Sequence, residues 1–511
     1  MKMGVRMINI DNYIDNPKPQ RPPLGNCQNR VKETKRKWVR SAELRGCGQS
    51  PHTIPLKYLL LSLFSLHLLF SPLQATLVDL LPFHAAKAQL PGVAQEMRAP
   101  GYWIARHPAP DKLVLDRESI VQLNREIRAS SRAVSDLSGH SSRMGGEAIR
   151  SQIRAMHALV SGMKLFDGDG NRVGNDFWEK MTALEAVGRV PNSIAVRFAF
   201  ATSFAHQRIV PSLQNLNKVA TDTEFDELQN SGYDIGTPLV IYHESADGNW
   251  VFGATSLTTG WFMKSAVGFC SQSEWKAYQQ SESFVVVTSS KADLWGDASA
   301  HTYLGYQRMG CRLPLLGDSG FYYKVRLPRR DSSGDAVVID AFVAKSDVHE
   351  GYLPYTPRNA ITQAFRMLGE KYGWADMQGD WDCSSLLISI FRCFGIELPR
   401  NGANQAKSGN VVHTFSGGET ASERRQIISE KATGGITLLN MKGHIVLYLG
   451  TVDKNPYVLH DAWAYRNANG DAIHQNVNVI GGTIVSGLDL GTGSEKGSLL
   501  TRLLKVTLIS R

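Results

Sequence analysis

The apolar positions of this chain change their spacing several times along its length. Residues 1–57 are polar, basic and Pro-containing, with no sustained period, and no fold is expected for them. Residues 58–78 form a continuous apolar run without Asp, Glu, Lys or Arg. From about 97 to 195 the pattern is helical. Ile149, Ile153, Met156, Leu159, Val160 and Met163 recur at helical spacing, and Asp116 stands before an apolar period opening at Ile120, as a capped helix start does. From about 196 to 355 the texture is short strands and turns. Residues 236–243 read as a strand, Asp247-Gly248-Asn249 as a hairpin turn into Trp250-Val251-Phe252, and Gly260-Trp261-Phe262 as the next strand start. Residues 309–315, 321–327 and 336–344 repeat that succession in a divergent form. Beyond 356 come two amphipathic helices, 359–368 and 383–394. Strands follow at 435–440, 443–450, 456–464, 474–480 and 500–509. Helices followed by a run of strands make an α+β layout.

Composition adds two constraints. The formal net charge of +9 suggests a nucleic-acid partner until it is located. Residues 1–57 carry 12 Lys/Arg against 4 Asp/Glu, and the remainder carries 44 against 43. The basic excess belongs to the N-terminal tail, so no nucleic-acid surface is expected. A basic flank, the apolar run and then Ala85-Ala86-Lys87-Ala88 describe an export signal over 58–88, cleaved after about Ala88. The run is also long enough to remain as a membrane anchor. Under both readings the residues beyond about 89 work outside the cytoplasm, in the periplasm or cell envelope.

Six cysteines are too few for a disulfide framework at this length. Cys270 and Cys311 could pair, and Cys393, in Ile390-Phe391-Arg392-Cys393-Phe394, reads as an inert core thiol. Cys383 differs. It stands in Asp382-Cys383-Ser384-Ser385-Leu386-Leu387, where a polar loop enters an apolar helix. Unpaired N–H groups and the helix dipole at such a terminus favour the thiolate. Two histidines follow at strand-like segments: His444 in Gly443-His444-Ile445-Val446 and His460 in Val458-Leu459-His460-Asp461. A nucleophile, a base and a residue that orients the base are the parts of a covalent acyl-transfer site. Asp461 competes with His460 for the third place, and since strand neighbours point to opposite faces only one can serve. Gly310-Cys311-Arg312 lacks the Ser/Thr-His-Gly lead of a transpeptidase nucleophile. No C-x-x-C or H-x-x-x-H pair suggests zinc.

The ordered set Tyr372-Gly373-Trp374, Asp382-Cys383-Ser384, Gly443-His444, and His460 with Trp463 resembles the NlpC/p60 family of papain-like cell-wall cysteine peptidases. Leu398-Pro399-Arg400-Asn401 and Gln405 add to the match. Ser385, Gly402 and Trp381 stand where the family commonly has Gly, Ser and Arg. The resemblance implies a catalytic domain at 356–511, SH3-like barrels at 196–272 and 273–355, and a helical stabilising region at 89–195. It implies Cys383 as nucleophile, His444 as base and His460 as orienting residue. Tyr372 is then the oxyanion or substrate hydroxyl. Asp382 and Ser384 either hold the substrate backbone or cap the helix, and Arg400 supports the fold. The implied substrate is a peptidoglycan stem peptide, cut between γ-D-glutamate and an L-diamino acid such as meso-diaminopimelate, with no metal or organic cofactor. An inactive wall-binding scaffold, and an amidase or acyltransferase on the same fold, are the other readings.

Overall fold

The computed structural model describes residues 90–131, 133–220, 222–466 and 477–511, which lie in one compact unit. The leader and the apolar run fall outside the described residues. Among the described residues no helix is long and apolar enough to cross a membrane.

Four helices lead in: α1 (Pro100–Arg106), α2 (Arg117–Ser131), α3 (Gly146–Ser161) and α4 (Asn175–Glu185). They were expected to form one region, but they serve two cores. Leu90, Met97, Trp103, Leu123 and Ile127 pack into the core of the last domain. Ile149, Ile153, Met156, Val160 and Met181 pack instead with Phe198, Phe252, Trp261 and Trp275 of the strands that follow. An amphipathic stripe announces a buried face without naming what covers it.

Those strands are β1 (Arg197–Ala201), β2 (Ala205–Arg208), β3 (Gln229–Tyr233), β4 (Pro238–Glu244), β5 (Trp250–Ala254), β6 (Thr259–Met263) and β7 (Val267–Cys270). They form one antiparallel sheet in the order β3-β2-β6-β5-β4-β1-β7. The helix α5 (Gln272–Gln279) then starts on a capping box, with Ser271 and Glu274 bonded reciprocally. A second set follows: β8 (Phe284–Val287), β9 (Lys291–Trp295), β10 (Tyr303–Arg308), β11 (Arg312–Ser319), β12 (Tyr322–Arg330), β13 (Ala336–Ala344) and β14 (Val348–Glu350). Its order is β10-β9-β13-β12-β11-β8-β14. Position for position this is the order of the first sheet. Each set closes on its own apolar interior. Cys270 and Cys311 are both free.

The last domain opens with α6 (Pro357–Arg366), capped by Thr356 and begun on Pro357, and α7 (Cys383–Arg392). A four-residue turn of helix, α8 (Gly402–Gln405), and α9 (Ala421–Lys431) follow. Its strands are β15 (Asn410–Thr414), β16 (Thr437–Met441), β17 (His444–Val452), β18 (Asn455–Arg466), β19 (Val477–Gly487) and β20 (Leu503–Leu508), ordered β15-β20-β16-β17-β18-β19. Leu438, Ile445, Leu447 and Leu459 face α6 and α7, while Leu439, Val446, Tyr448 and Val458 face Ile428 of α9. Buried on both faces, the central strands read as nearly continuous apolar runs. The strand expected at 474–480 is observed as the longer β19, and 474–476 lie outside the described residues.

Candidate active site at the start of α7

Asp382 is the N-cap of α7. Its Oδ1 accepts from the backbone N–H groups of Ser384 (3.0 Å) and Ser385 (2.9 Å), and Ser385 Oγ accepts in return from the Asp382 N–H at 2.9 Å. Arg400 grips the same carboxylate, with Nη1 at 3.2 Å from Oδ1 and Nη2 at 2.7 Å from Oδ2. The Ser384 hydroxyl donates to Asp382 Oδ1 at 2.8 Å and accepts from Arg400 Nη1 at 2.9 Å. The structure therefore engages Asp382 and Ser384 in the cap, and Arg400 closes it as a bidentate partner. Gln405 donates to the carbonyls of Ser384 and Pro399, both at 2.9 Å.

Cys383 is the first residue of α7 and is partly exposed, with its thiol against the backbone of Ile445, next to His444. The helix start was expected to depress its pKa. The structure has the opposite balance: burial pushes the thiol up, the Asp382 carboxylate beside it adds to this, and the Ile445 backbone hydrogen bond offsets only part. Cys393 lies at the far end of α7, fully buried, with Sγ toward the Val287 carbonyl at 3.5 Å.

His444 opens β17. Met441 and His444 pair across a two-residue hairpin, Lys442-Gly443, and Gly443 has φ +75°, a conformation that favours glycine. His444 Nε2 lies 2.8 Å from His460 Nδ1 on β18, and His460 Nε2 lies 2.9 Å from the Ser486 hydroxyl on β19. All three residues are buried. His444 Nδ1 is the one ring nitrogen of the pair without a hydrogen-bond partner. Burial, then the His460 ring, then Arg502 hold the His444 pKa well below the usual imidazole range, and burial lowers His460 to about 3. Both rings are thus neutral at neutral pH. A metal ion would find only one imidazole nitrogen not already engaged.

Asp461 lies on the other face of β18, opposite Thr483 in the strand register. It is fully buried, and neither carboxylate oxygen has a hydrogen-bond partner. Burial pushes its pKa well up, and the charges of Asp382 and Asp380 push the same way. The structure brings His460, and not Asp461, to His444.

Tyr372 is fixed by its backbone, donating to the Gly481 carbonyl at 3.1 Å and bridging to Trp381, two residues before Cys383. Its ring sits 5.9 Å from that of Trp463 and 6.3 Å from that of Phe225. Phe225 belongs to the loop between β2 and β3 and also meets Trp374 and Trp463 edge-on. Trp374 Nε1 donates to the Asp226 carbonyl at 3.1 Å. Ser486 and Phe225 were not found from sequence. Ser486 sits among small residues whose strand register no local pattern reveals. Phe225 lies in a long loop before β3.

Residues 369–480 match the NlpC/P60 family model, and residues 211–263 match the model of an SH3 domain of the SH3b1 type. Two proteins named gamma-D-glutamyl-L-lysine dipeptidyl-peptidase are similar. The one from Bacillus subtilis (strain 168) is 32% identical over 102 residues, 20% of this chain and 31% of its own length. The one from Bacillus cereus (strain ATCC 10987 / NRS 248) is 28% identical over 142 residues, 27% of this chain and 40% of its own. The match thus spans less than half of either relative. Among solved structures, an NlpC/P60 endopeptidase from Photobacterium damselae subsp. piscicida superposes with TM-score 0.66 at 20% identity, over 80% of this chain and 96% of that one. It shares the fold. The chain carries an SH3b domain and an NlpC/P60 domain.

Proposed function

We propose that the NlpC/P60 domain is a cysteine endopeptidase acting outside the cytoplasm on peptidoglycan stem peptides, at the bond between γ-D-glutamate and an L-diamino acid. The observation that carries the reading is the buried row His444, His460 and Ser486, with the Cys383 thiol on the backbone of Ile445, the residue after His444. Three buried polar side chains in mutual contact are costly to keep in a core unless each is satisfied. Here the row ends at one ring nitrogen without a partner, on the residue that precedes the Ile445 backbone met by the partly exposed Cys383 thiol. The names of the two curated relatives agree with the bond.

The chemistry follows from the tautomers. For His444 Nδ1 to accept the thiol proton, Nε2 must carry the hydrogen and donate it to His460 Nδ1. His460 then holds its own hydrogen on Nε2 and donates it to Ser486 Oγ. In this way each ring nitrogen of the row has a defined role, with the hydroxyl as the final acceptor. At rest the thiol and the imidazole are both neutral. As the sulfur attacks the γ-carbonyl, its proton passes to His444 Nδ1 and the carbonyl electrons move onto oxygen. The Cys383 backbone N–H at the helix start and the Tyr372 hydroxyl are the donors for that oxyanion. Collapse breaks the C–N bond, and His444 gives the proton to the leaving amine, leaving a thioester. Water, deprotonated by His444, then releases the γ-D-glutamyl product and restores the thiol.

The test is incubation of the full chain and its Cys383→Ala variant with muropeptides, read by mass. The parent should leave L-Ala-D-Glu on the muramic acid and release a peptide that begins at the diamino acid, and the variant neither. Products cut elsewhere, or turnover by the variant, sink the reading.

A further inference from the structure

The loop between Tyr372 and Cys383 is held from outside the catalytic domain. Ala375, Asp376 and Gln378 all have positive φ (49°, 65° and 59°), which non-glycine residues keep only where their surroundings over-determine it. Both strand sets supply those surroundings: from the first, Ser231 Oγ and the Gly232 N–H donate to Asp376 Oδ2 at 2.9 and 3.3 Å and Gln229 Nε2 donates to the Ala375 carbonyl at 3.2 Å, and from the second come two cations. Arg308, on its edge strand β10, donates through Nη1 to Asp376 Oδ1 at 3.1 Å and to the Asp380 carbonyl at 3.3 Å. Its Nε is held by both oxygens of Asp234, at 3.1 and 3.0 Å. Lys291, directly opposite Arg308 in the strand register, reaches Asp380 Oδ1 at 2.9 Å. The Tyr306 ring closes over Gly379, where a Cβ would strike its hydroxyl. From Asp376 the chain of charge continues. Asp376 Oδ2 meets Arg400 Nη2 at 3.0 Å, and the same guanidinium nitrogen holds the Asp382 cap at 2.7 Å. Arg308, Asp376 and Arg400 are all buried.

We propose that Arg308 and Lys291 of the second barrel are positioning residues for the reaction, setting through Asp376, Arg400 and Asp382 where the Cys383 thiol lies relative to Tyr372. The proposal rests on the reading of Cys383 as nucleophile. Neither cation contacts a reacting atom. Their effect is on geometry, and misplacing a nucleophile by about 1 Å can cost on the order of a hundredfold in rate.

The experiment uses the full chain and a synthetic L-Ala-γ-D-Glu-L-Lys tripeptide. The variants are Arg308→Met, Arg308→Lys, Lys291→Met and the double variant Arg308→Met/Asp234→Asn. The double variant removes one buried cation and one buried anion together, so it keeps the charge balance if Arg308→Met alone fails to fold. Lys291 is partly exposed and its loss should leave the fold intact. Expected is a fall in kcat of about a hundredfold for the double variant and a smaller one for Lys291→Met. KM should be nearly unchanged, and Arg308→Lys should recover part of the loss. A purely architectural contact would lower the thermal midpoint and leave the kcat of the folded protein alone. That outcome in both the double variant and Lys291→Met, with Cys383→Ala inactive, overturns the proposal. Turnover by Cys383→Ala would instead overturn the nucleophile reading, a result no Arg308 variant can mimic.

Discussion

His460 and Asp461 are neighbours with opposite fates. His460 faces the base at 2.8 Å, and Asp461 lies buried on the other face of β18, opposite Thr483 and within reach of the charges of Asp382 and Asp380. His460→Ala should lower kcat by about 10²–10⁴-fold, the range for loss of a group that serves acid–base catalysis. Asp461→Asn should leave activity nearly intact and change stability instead. The raised pKa of Asp461 means that the fold favours its protonated form. That contribution is complete below the ordinary carboxyl pKa and is lost as pH rises through the raised one. The asparagine carries no such loss, so its thermal midpoint should exceed that of the parent by more at pH 8 than at pH 5. An equal difference at both pH values would show Asp461 to be ionised in the fold. Cys383 gives a second pH signature. With the thiol pushed up and His444 pushed down, iodoacetamide labelling of Cys383 should still be rising beyond pH ~8.5, the range of an ordinary cysteine. Labelling already maximal at pH 7 would restore the ion pair that the helix terminus suggested. The terminus was legible in the sequence. The burial that outweighs it, and the carboxylate that adds to it, were not, because both depend on what packs over the loop.

At the scale of elements, α7 was readable because its signals are local: a capping Asp, a polar first turn and an apolar stripe. The hairpin at Gly443 was readable for the same reason. Ser486 was not. Its place depends on β18 and β19 pairing Val458 with Ser486, a register set by contacts distant in sequence. Ser486→Ala should therefore be informative. If the hydroxyl fixes the tautomers of the two rings, kcat should fall about tenfold or more while KM stays constant, and Ser486→Thr should recover part of it. The cap offers a stability test. Asp382→Ala removes the cap and leaves Arg400 short of one buried partner, a loss of about 3–5 kcal/mol by the usual cost of breaking such a pair. Asp382→Asn keeps a capping oxygen and should lose less. Equal thermal midpoints for the two variants would show that the cap contributes nothing.

Over the whole molecule, the NlpC/P60 domain and the strand-rich region before it were legible as changes of period, and their joints were not. Phe225 and Trp374 meet across such a joint, as do Arg308 and Asp376. If the first barrel walls the cleft through Phe225, a free stem tripeptide should be cut with higher kcat/KM than intact sacculi, because a closed end rejects bulky glycan by sterics. Phe225→Ala should narrow that gap. Preferred cleavage of sacculi by the parent protein would refute the wall.

The strand Leu503–Leu508 sits between Asn410–Thr414 and Thr437–Met441, inside the sheet that carries both histidines, and Trp103 packs beneath Gly450 of the same sheet. Synthesis runs in one direction, and domains fold as their parts emerge. Trp103 must therefore wait through several hundred residues of translation for the surface it covers. The two central hairpin strands must wait for a neighbour made after them. The two histidines are thus synthesised before the strand that completes their sheet, so their final arrangement is set only once the last strand has been made.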